Sequence, residues 1–572
     1  MTIHPLLTSP ARWGTLPLRN RMFMPPMSTH TAHPDGTVSE RGHDFIVERA
    51  RGGAGLIFTE SLLTQTTYDS YTGYAALISQ DKHIEPLSRL VDAVHETGTP
   101  IAASLTPGFG RVGAAAPDGG APYSPSDNTV ADNPHTQCRV LTTEQVEDII
   151  EKFAQAVERA MRAGFDAIDI HAHAGHLTDQ FLAAAWNRRN DQYGGSAVGR
   201  ARFATELIKR TRSIVGNEVP ISMRLAVRHQ FPGGRSESEA RELAMILQDA
   251  GLNVLIVDAG ASESLDWAFP PSSMGTGVFL PDAVVVKPPV TIPVAVTGNL
   301  TPDIAERALR ERIIDFAGFG RPLIADPQLP AKVAQGLSDR VRPCLRCNLC
   351  IDRVFGGRAV ECAVNPLVHR AGVGAGVGAR AGAGAGGGAS PDGSAAGGID
   401  DMHEPKRVAV LGAGVRGLET ARTLARRGHN VVLYPTQAGL GGAPIEGLSD
   451  DLRVEVKRLV MWWDKELARL GVRVVEGSAV ANACVTGNEV RRQAEELTTN
   501  LTRELGVDEV IVVNDVVVSA NGVGAGAVGT AAAGTGEGAG AAGTAGAEEA
   551  NRLAIEAIAQ AIRAGYEAGQ AL

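Results

Sequence analysis

The sequence predicts an α/β protein with three parts in order. These are a (β/α)8 TIM barrel, a cysteine-rich segment and a shortened Rossmann-like nucleotide-binding unit. Short β-branched runs alternate with amphipathic helical patterns through residues 1–335. Four cysteines follow within residues 344–362, and a glycine-rich loop begins after a Gly/Ala-rich stretch.

Eight strand candidates predict the barrel. Each is a short apolar or β-branched run, and helical patterns such as 143–163 and 199–215 separate most of them. The candidates lie at 21–27, 54–61, 100–106, 165–171, 220–226, 254–260, 293–298 and 314–320. Eight βα units within about 250–330 residues are typical of a (β/α)8 barrel, in which the chemistry occurs at the C-terminal ends of the strands. The residues at those ends are His171, Arg224, Asp258, Gly298 and Arg321.

Composition limits the classes of partner. The chain has 572 residues, 44% of them apolar, and a formal net charge of −10 without a basic block. Nucleic acid and anionic membrane surfaces are therefore not expected as partners. The sequence has neither the roughly 18-residue apolar run of a membrane span nor the pattern of a signal peptide. We expect a cytoplasmic protein, because a reducing compartment keeps thiols available as ligands.

Four of the 6 cysteines form one motif. Cys344, Cys347 and Cys350 have the spacing C-x2-C-x2-C, and Cys362 follows. Zinc ribbons usually pair two C-x2-C knuckles. Three closely spaced cysteines and a later fourth favour a [4Fe–4S] cluster instead. A cluster between two nucleotide-binding units indicates an electron relay.

The C-terminal unit begins with a dinucleotide fingerprint. Gly412, Gly414 and Gly417 form G-x-G-x-x-G between a predicted strand and helix. The acid expected at the end of the second strand is replaced by Pro435, which cannot bind a ribose hydroxyl. Residues 443–514 contain no second fingerprint. We therefore predict a shortened nucleotide-binding unit. It either still binds FAD or has kept only a structural role.

Composition shifts divide the chain. We predict the barrel at 1–335, the cysteine segment at 336–370, a flexible Gly/Ala-rich linker at 371–402 and the shortened unit at 403–572. Within the last, 522–547 is of low complexity and a final helix spans about 548–570. If the barrel folds alone, deleting 401–572 should leave the barrel and cysteine segment intact.

The barrel sequence resembles the Old Yellow Enzyme family of FMN oxidoreductases. The matching strings are LRNRMFMPPM at 18–27, NRRNDQYGGS at 187–196, MRL at 223–225, VTGNL at 296–300 and GFGRPLIADP at 318–327. The cysteine motif and the C-terminal unit narrow the resemblance to the multi-cofactor branch, which includes 2,4-dienoyl-CoA reductase, 2-enoate reductase and trimethylamine dehydrogenase. The string VDAGASESLDWAFPP at 257–271 looks most like the enoate-reductase type.

The resemblance implies a flavin site at the barrel mouth. A flavin phosphate needs backbone N–H groups and a cation, which the last two strands would supply. Arg224 would lie under N1 and O2 of the ring and stabilise reduced flavin. The family usually places Gln against the pyrimidine edge, and the shorter Ser104 stands there in this chain. The residues that the resemblance assigns to FMN are Pro25, Pro26, Met27, Ser104, Arg224, Gly298, Asn299, Gly320 and Arg321.

Three histidines in IHAHAGHL are the candidate catalytic residues. Family members usually hold the substrate oxygen with two polar residues three positions apart, and a Tyr two positions later donates a proton. Here His171 takes the first position, Ala174 the second and His176 the Tyr position, while His173 is additional. Histidine can polarise a carbonyl and donate a proton. A structural role and a metal site remain alternatives, although the histidines have no acidic or cysteine neighbour in the string.

The resemblance implies reduction of the C=C bond of an α,β-unsaturated carbonyl compound by hydride from FMN. Electrons would come from NAD(P)H through FAD at the glycine loop, or from an external redox partner, and would cross the cluster. One alternative is an amine dehydrogenase that runs the relay in reverse, and another is a non-catalytic electron carrier. We expect a small-molecule substrate and a homo-oligomer.

Overall fold

The computed structural model describes residues 4–71, 73, 75–369, 404–435, 439–442, 448–475, 507–513 and 541–571. Its strands are β1 (Ala11–Trp13), β2 (Leu16–Leu18), β3 (Met22–Met24), β4 (Leu56–Phe58), β5 (Leu62–Leu63), β6 (Ile101–Thr106), β7 (Tyr123–Ser124), β8 (Thr129–Val130), β9 (Asn133–Gln137), β10 (Arg139–Val140), β11 (Ala167–Ala172), β12 (Ile221–Ala226), β13 (Val254–Asp258), β14 (Val294–Val296), β15 (Phe316–Gly318), β16 (Arg407–Leu411), β17 (Asn430–Tyr434), β18 (Arg473–Val474) and β19 (Glu509–Val512).

The helices cover the barrel and the C-terminal unit. They are α1 (Glu40–Arg51), α2 (Ile84–His95), α3 (Thr143–Ala163), α4 (Leu177–Leu182), α5 (Ala197–Val215), α6 (Glu237–Asp249), α7 (Leu265–Ala268), α8 (Leu280–Val286), α9 (Pro302–Arg310), α10 (Arg321–Ala325), α11 (Leu329–Ala334), α12 (Leu349–Phe355), α13 (Val415–Arg426), α14 (Asp450–Arg469) and α15 (Ala541–Gln570). In the ranges given above, none of these helices combines the length and apolar character that crossing a bilayer requires.

Eight parallel strands close into a barrel. The order is β3, β4, β6, β11, β12, β13, β14 and β15, and β15 pairs with β3 to complete the ring. All eight predicted strands are confirmed, with ends that differ by a few residues. The predicted helices 143–163 and 199–215 correspond to α3 and α5.

Local sequence explains where the long barrel helix α3 begins and ends. The Thr142 hydroxyl accepts a hydrogen bond from the Gln145 backbone N–H, and the side-chain oxygen of Gln145 accepts one from the Thr142 backbone N–H. The helix ends at Gly164, whose φ of 93° favours glycine. Apolar residues recur along one face and are buried against the strands, as the helical period requires.

An aromatic plug fills the N-terminal end of the barrel. The hairpin of β1 and β2 carries Trp13, whose ring centroid lies 5.3 Å from Phe23, 5.7 Å from Phe58 and 4.9 Å from Phe316. Gly14 follows Trp13 in a left-handed conformation and packs on Pro220, which precedes β12. The plug leaves the C-terminal ends of the strands as the mouth of the barrel.

The C-terminal unit is a parallel sheet of the Rossmann type. The strand order is β18, β17, β16 and β19, and α13 connects β16 to β17. The final helix α15 begins at residue 541, inside the stretch predicted to be of low complexity.

One apolar core joins the cysteine segment to the C-terminal unit. Leu345 and Leu349 pack in the same cluster as Leu418 of α13 and Trp463 of α14. This shared core argues against the independence of the first 400 residues that the sequence suggested, because deleting 401–572 would expose it to water.

Buried charges reinforce this junction. Arg342 lies 3.4 Å from Glu419, which also accepts hydrogen bonds from Arg422 and, at 3.0 Å, from the indole N–H of Trp463. Glu419 is fully buried. Burial opposes its ionisation, yet Arg342 and Arg422 hold its pKa at about 2. A charge in such a site is stable only with its partners in place.

Helix α15 packs across both units. A Cβ at Gly565 would lie 2.4 Å from the Arg416 carbonyl oxygen, and one at Gly569 would lie 2.7 Å from Cβ of Thr423. The absence of side chains at these two glycines therefore lets α15 approach α13 closely. Arg563 of α15 also pairs with Glu361 at 3.2 Å, beside Cys362.

Replacing Glu419 with Ala should destabilise this junction strongly. The change leaves two buried guanidinium groups without their carboxylate, which typically costs about 3–5 kcal/mol. The first transition in urea unfolding, followed by tryptophan fluorescence, should move to lower urea concentration. Glu85→Ala is the control, because the Glu85–Arg89 pair is exposed and such pairs contribute under about 1 kcal/mol. Equal midpoints for the two variants would contradict the role given to Glu419.

Candidate active site at the barrel mouth

The structure brings the three predicted histidines together. His171 lies in β11, and its ring centroid is 4.4 Å from that of His173 and 4.3 Å from that of His176. His171 and His173 are buried and His176 is half-buried. The Ser61 hydroxyl lies 2.9 Å from Nδ1 of His171. The turn after β11 thus folds the three imidazoles into one cluster at the mouth.

Burial keeps these imidazoles neutral. Removal from water is the first cause that lowers each pKa, well below the usual value for His171 and His173 and to about 4 for His176. The nearby charge of Arg224 lowers all three further. Among the described residues, Nε2 of His171 and Nδ1 of both His173 and His176 have no hydrogen-bond partner. Buried ring nitrogens of this kind are suited to a bound ligand.

Asp258 supplies the acidic neighbour that the local sequence lacks. Nε of Arg224 donates to Oδ2 of Asp258 at 2.5 Å, and Asp258 is fully buried. The same oxygen lies 3.7 Å from Nδ1 of His173, which is too long for a hydrogen bond. The folded chain therefore places one carboxylate near the histidines. However, no group of three or more His, Cys, Asp or Glu side chains in the described ranges is arranged to hold a metal ion.

The predicted phosphate residues also converge. Gly298 and Asn299 have φ values of 86° and 55°, and Arg321 donates to Oδ1 of Asn299 at 2.6 Å. A Cβ at Gly320 would lie 3.3 Å from Sδ of Met27 and 3.4 Å from Cγ of Pro25. The glycine and arginine positions therefore meet the residues predicted to line the flavin ring. Arg321 also bonds to Asn348, between Cys347 and α12, which links this end of the mouth to the cysteines.

Ser104 lies one layer deeper in the barrel than the histidines. It is fully buried, and its hydroxyl donates to Asp169 at 2.9 Å, while Ser222 donates to the other carboxylate oxygen at 2.8 Å. The hydroxyl hydrogen of Ser104 is therefore committed, and Ser104 can only accept a further hydrogen bond. Burial raises the pKa of Asp169 to about 6. The sequence placed Asp169 on strand four but gave it no role.

FMN fits this mouth on three structural grounds. Three histidine ring nitrogens have no hydrogen-bond partner among the described residues and are available to a ligand. The guanidinium of Arg321 provides a positive charge at the mouth. A side chain at Gly298 would crowd Phe279, and one at Gly320 would crowd Met27. These features match the needs of a flavin and its phosphate.

The four motif cysteines lie in one electrostatic neighbourhood. Burial is the first cause that raises the pKa of each thiol, to about 12 for Cys350 and about 11 for Cys362. The charges of the other cysteines raise the pKa of Cys347 further, whereas Arg321 and Arg346 lower that of Cys344. Buried thiols that oppose each other's ionisation are stabilised as thiolates by bound cations. Within the described ranges, however, the four cysteines are not arranged as a group that could hold a metal ion, so the predicted cluster stays a prediction.

The glycine loop of the C-terminal unit has the geometry of a dinucleotide fingerprint. Gly412 has a φ of 100°, and its missing Cβ would meet the Val513 carbonyl. A Cβ at Gly417 would lie 1.9 Å from the Gly412 carbonyl oxygen, so this glycine allows helix and strand to pack closely. Gly414 is the N-cap of α13, and Pro435 directly follows β17.

A carboxyl group that the sequence analysis missed also lies at the mouth. Glu60 follows β4 and is half-buried, and burial raises its pKa to about 7. The backbone and hydroxyl of Thr29 hydrogen-bond to it. Its neighbour Ser61 contacts His171. An acidic residue directly after a barrel strand was the available sequence signal.

Comparisons with known proteins match both units. Residues 7–340 match the NADH:flavin oxidoreductase / NADH oxidase family, and residues 386–536 match the pyridine nucleotide-disulphide oxidoreductase family. The NADH oxidase of Thermoanaerobacter brockii is 36% identical over 83% of this chain and 70% of its own length. The cinnamate reductase of Clostridium sporogenes is 32% identical over 91% of this chain and 78% of its own length.

Solved structures agree with this match. A 2-naphthoyl-CoA reductase in complex with 2-naphthoyl-CoA has a TM-score of 0.76 and 25% identity, covering 89% of this chain and 74% of that one. Histamine dehydrogenase from Rhizobium sp. 4-9 has a TM-score of 0.74 and 25% identity, covering 89% of this chain and 69% of that one. The similar proteins thus include two named reductases and a histamine dehydrogenase.

The raised pKa of Glu60 predicts a pH dependence of stability. The folded protein binds this proton more tightly than the unfolded chain, whose pKa is the ordinary 4.5. The stabilisation is therefore fully present below pH 4.5 and is lost as the pH rises to about 7, by up to about 3 kcal/mol. Thermal midpoints should fall over this window in the wild type relative to Glu60→Gln. Parallel curves for these two proteins, with exposed Glu40→Gln as control, would show that Glu60 ionises normally.

Proposed function

The chain belongs to the NADH:flavin oxidoreductase / NADH oxidase family, and we propose that it reduces the C=C bond of α,β-unsaturated carbonyl compounds. The observation that carries this proposal is the cluster of three neutral imidazoles beside the Arg224–Asp258 pair. FMN, when bound at this mouth, supplies the hydride. The relative named cinnamate reductase supports the choice of an enoate-type substrate.

His171 is suited to polarise the carbonyl. A neutral imidazole donates one hydrogen bond and accepts another. When the Ser61 hydroxyl donates to Nδ1, the ring proton stays on Nε2, which can donate to the substrate oxygen. Because the pKa of His171 is low, the ring is neutral and its single N–H is the group left to donate to the substrate oxygen. Charge that develops on the oxygen would be stabilised in a site removed from water.

His176 is the proposed proton donor to the α-carbon. Its pKa of about 4 means that few of these rings are imidazolium at pH 7. The charged form is a strong acid, and its fraction rises about tenfold for each unit that the pH falls towards 4. The Phe109 ring packs edge-on against His176 at 5.3 Å and shields one side of it from water.

Amine oxidation is the second candidate, because histamine dehydrogenase shares the architecture. A cationic amine would need a carboxylate at the mouth. Asp258 is already paired with Arg224. Glu60 is the further carboxylate described above and is half protonated near pH 7. The charges therefore favour a neutral or anionic carbonyl substrate over an ammonium group.

We further propose that Cys344, Cys347, Cys350 and Cys362 bind a [4Fe–4S] cluster that passes electrons to FMN. FAD would bind at Gly412, Gly414 and Gly417, with NAD(P)H or an external redox partner as electron donor. Pro435 weakens the ribose contact, so we expect slow reduction by NAD(P)H. The non-catalytic carrier, the homo-oligomer and the domain limits given in the sequence analysis stay predictions.

Anaerobic mixing tests the proposed reaction. An enone or enoate should reoxidise the reduced flavin, and its rate constant should rise about tenfold per unit between pH 7 and 5, because imidazolium is the acid. His176→Phe should lower the rate constant about 10²–10⁴-fold and abolish this slope without loss of flavin. His95→Phe, at an exposed position of α2 outside the mouth, is the control. Bleaching of the oxidised protein by an amine, without reoxidation by any enone, would favour the second candidate instead.

Cofactor analysis tests the cluster. Protein purified without oxygen should contain about four irons and four acid-labile sulfides per chain. Cys347→Ser should lose both but keep FMN, since the phosphate residues lie on the barrel. Cys138→Ser makes the same chemical change at a cysteine outside the motif and should keep the cluster. Stoichiometric zinc without sulfide in the wild type would reject the relay.

A further inference from the structure

A buried ionic network stands behind the histidine turn. Asp179 in α4 is fully buried, as are His229 and Arg235. One carboxylate oxygen accepts from Nε2 of His229 at 3.1 Å and from the guanidinium of Arg235 at 2.9 Å. The other accepts from the Gly175 backbone N–H at 3.0 Å. The carboxylate is therefore satisfied by three donors, two on the loop between β12 and α6 and one in the turn after β11.

The hydrogen bonds of this network determine the tautomer of His229. Nδ1 of His229 accepts from the Arg235 backbone N–H at 3.1 Å, so the ring proton must be on Nε2, where it donates to Asp179. His229 stays neutral in this arrangement, and Arg235 provides the balancing positive charge. Trp186 covers His229, with ring centroids 4.7 Å apart. A buried carboxylate is stable only with such complete pairing.

The hydrogen bond from the Gly175 N–H to Asp179 also fixes the backbone of the turn that carries His173 and His176. Gly175 lies between His173 and His176, and it follows Ala174 with φ values of 75° and 55°. The Gln180 side chain donates to the Gly175 carbonyl at 2.6 Å, so both polar groups of this glycine are held. A left-handed alanine costs energy and persists only when its surroundings fix it. The turn that sets the direction of His176 is thus fixed by Asp179 and Gln180.

The charge of Asp179 also acts on His176. Burial is the main cause of the low pKa of His176, Asp179 opposes it and Arg224 adds to it. His171, stacked against the ring, is itself neutral, and Phe109 on the other side carries no charge. Asp179 is therefore the carboxylate that favours the protonated form of His176.

We propose that Asp179, held in place by His229 and Arg235, is a positioning residue that orients the 173–176 turn and, with it, the ring of His176. This inference rests on the proposed function, because it assigns Asp179 to the proton-donating residue of that reaction. The network touches neither the phosphate residues nor the cysteines, so its loss should leave cofactor content unchanged.

Two substitutions of His229 test the positioning role. Gln can donate to Asp179 and accept from Arg235 as the neutral ring does, whereas Leu can do neither. His229→Leu should slow flavin reoxidation by an enone about 10–100-fold at unchanged substrate affinity, and His229→Gln should stay within about threefold of the wild type. Reduction of the flavin by dithionite should be the same in all three. Equal rates for the Leu variant and the wild type, or equal losses for Leu and Gln, would overturn the proposal.

Histidine NMR of the substrate-free, flavin-loaded protein tests the charge effect. The His176 signal, assigned with His176→Phe, should titrate near pH 4 in the wild type and at lower pH in Asp179→Asn. An unchanged midpoint would overturn the proposal. If Asp179→Asn does not fold, the comparison of His229→Leu with His229→Gln tests the proposal instead. Because the titration needs no substrate, it tests the role of Asp179 separately from the proposed reaction. Failure of every enone to reoxidise the wild type would reject the proposed function, while a shifted midpoint would still support the network.

Discussion

Closure of the barrel is the constraint on which the rest of the structure depends. β11 pairs with β6 on one side and with β12 on the other, in a register that sets His171 beside Arg224. The Trp13 plug occupies the N-terminal end, so the polar residues of the strands gather at the other end. The pairing of β12 with both β11 and β13 likewise brings Asp258 of β13 to within 3.7 Å of His173 in the turn after β11. The site is thus a consequence of strand register rather than of any one motif.

Removal from water then determines the chemistry of each group. The same desolvation makes the histidines neutral, raises the pKa of Glu60 and keeps the cysteine thiols protonated until a cation binds. Arg224 is the cation next to the histidines, and Arg321 is the cation next to the residues predicted to hold the flavin phosphate. Arg321 bonds to Asn299 on the phosphate side and to Asn348 on the cysteine side. This arginine physically connects the proposed flavin and cluster sites.

The sequence predicted the barrel strands well, and because a barrel brings the ends of its strands to one face, candidate site residues could be named at those ends. His171, Arg224 and Arg321 could therefore be found without coordinates. Contacts between distant segments could not. Asp179 meets Arg235 across 56 positions, and Arg342 meets Glu419 across 77. The sequence predicts that the final helix begins at about residue 548, whereas α15 begins at residue 541, because its first residues are rich in Gly and Ala. Its close packing on α13, through Gly565 and Gly569, explains how a helix with so few large side chains is stabilised.

The most direct test of the central claim is a single turnover in heavy water. Reduced protein would be mixed without oxygen with one equivalent of an enoate, and the product would be examined by NMR. We expect a saturated acid with one deuterium at the α-carbon and one at the β-carbon, because both added hydrogens exchange with solvent before transfer. Recovery of the unsaturated acid without deuterium, from protein whose flavin stays reduced, would contradict it.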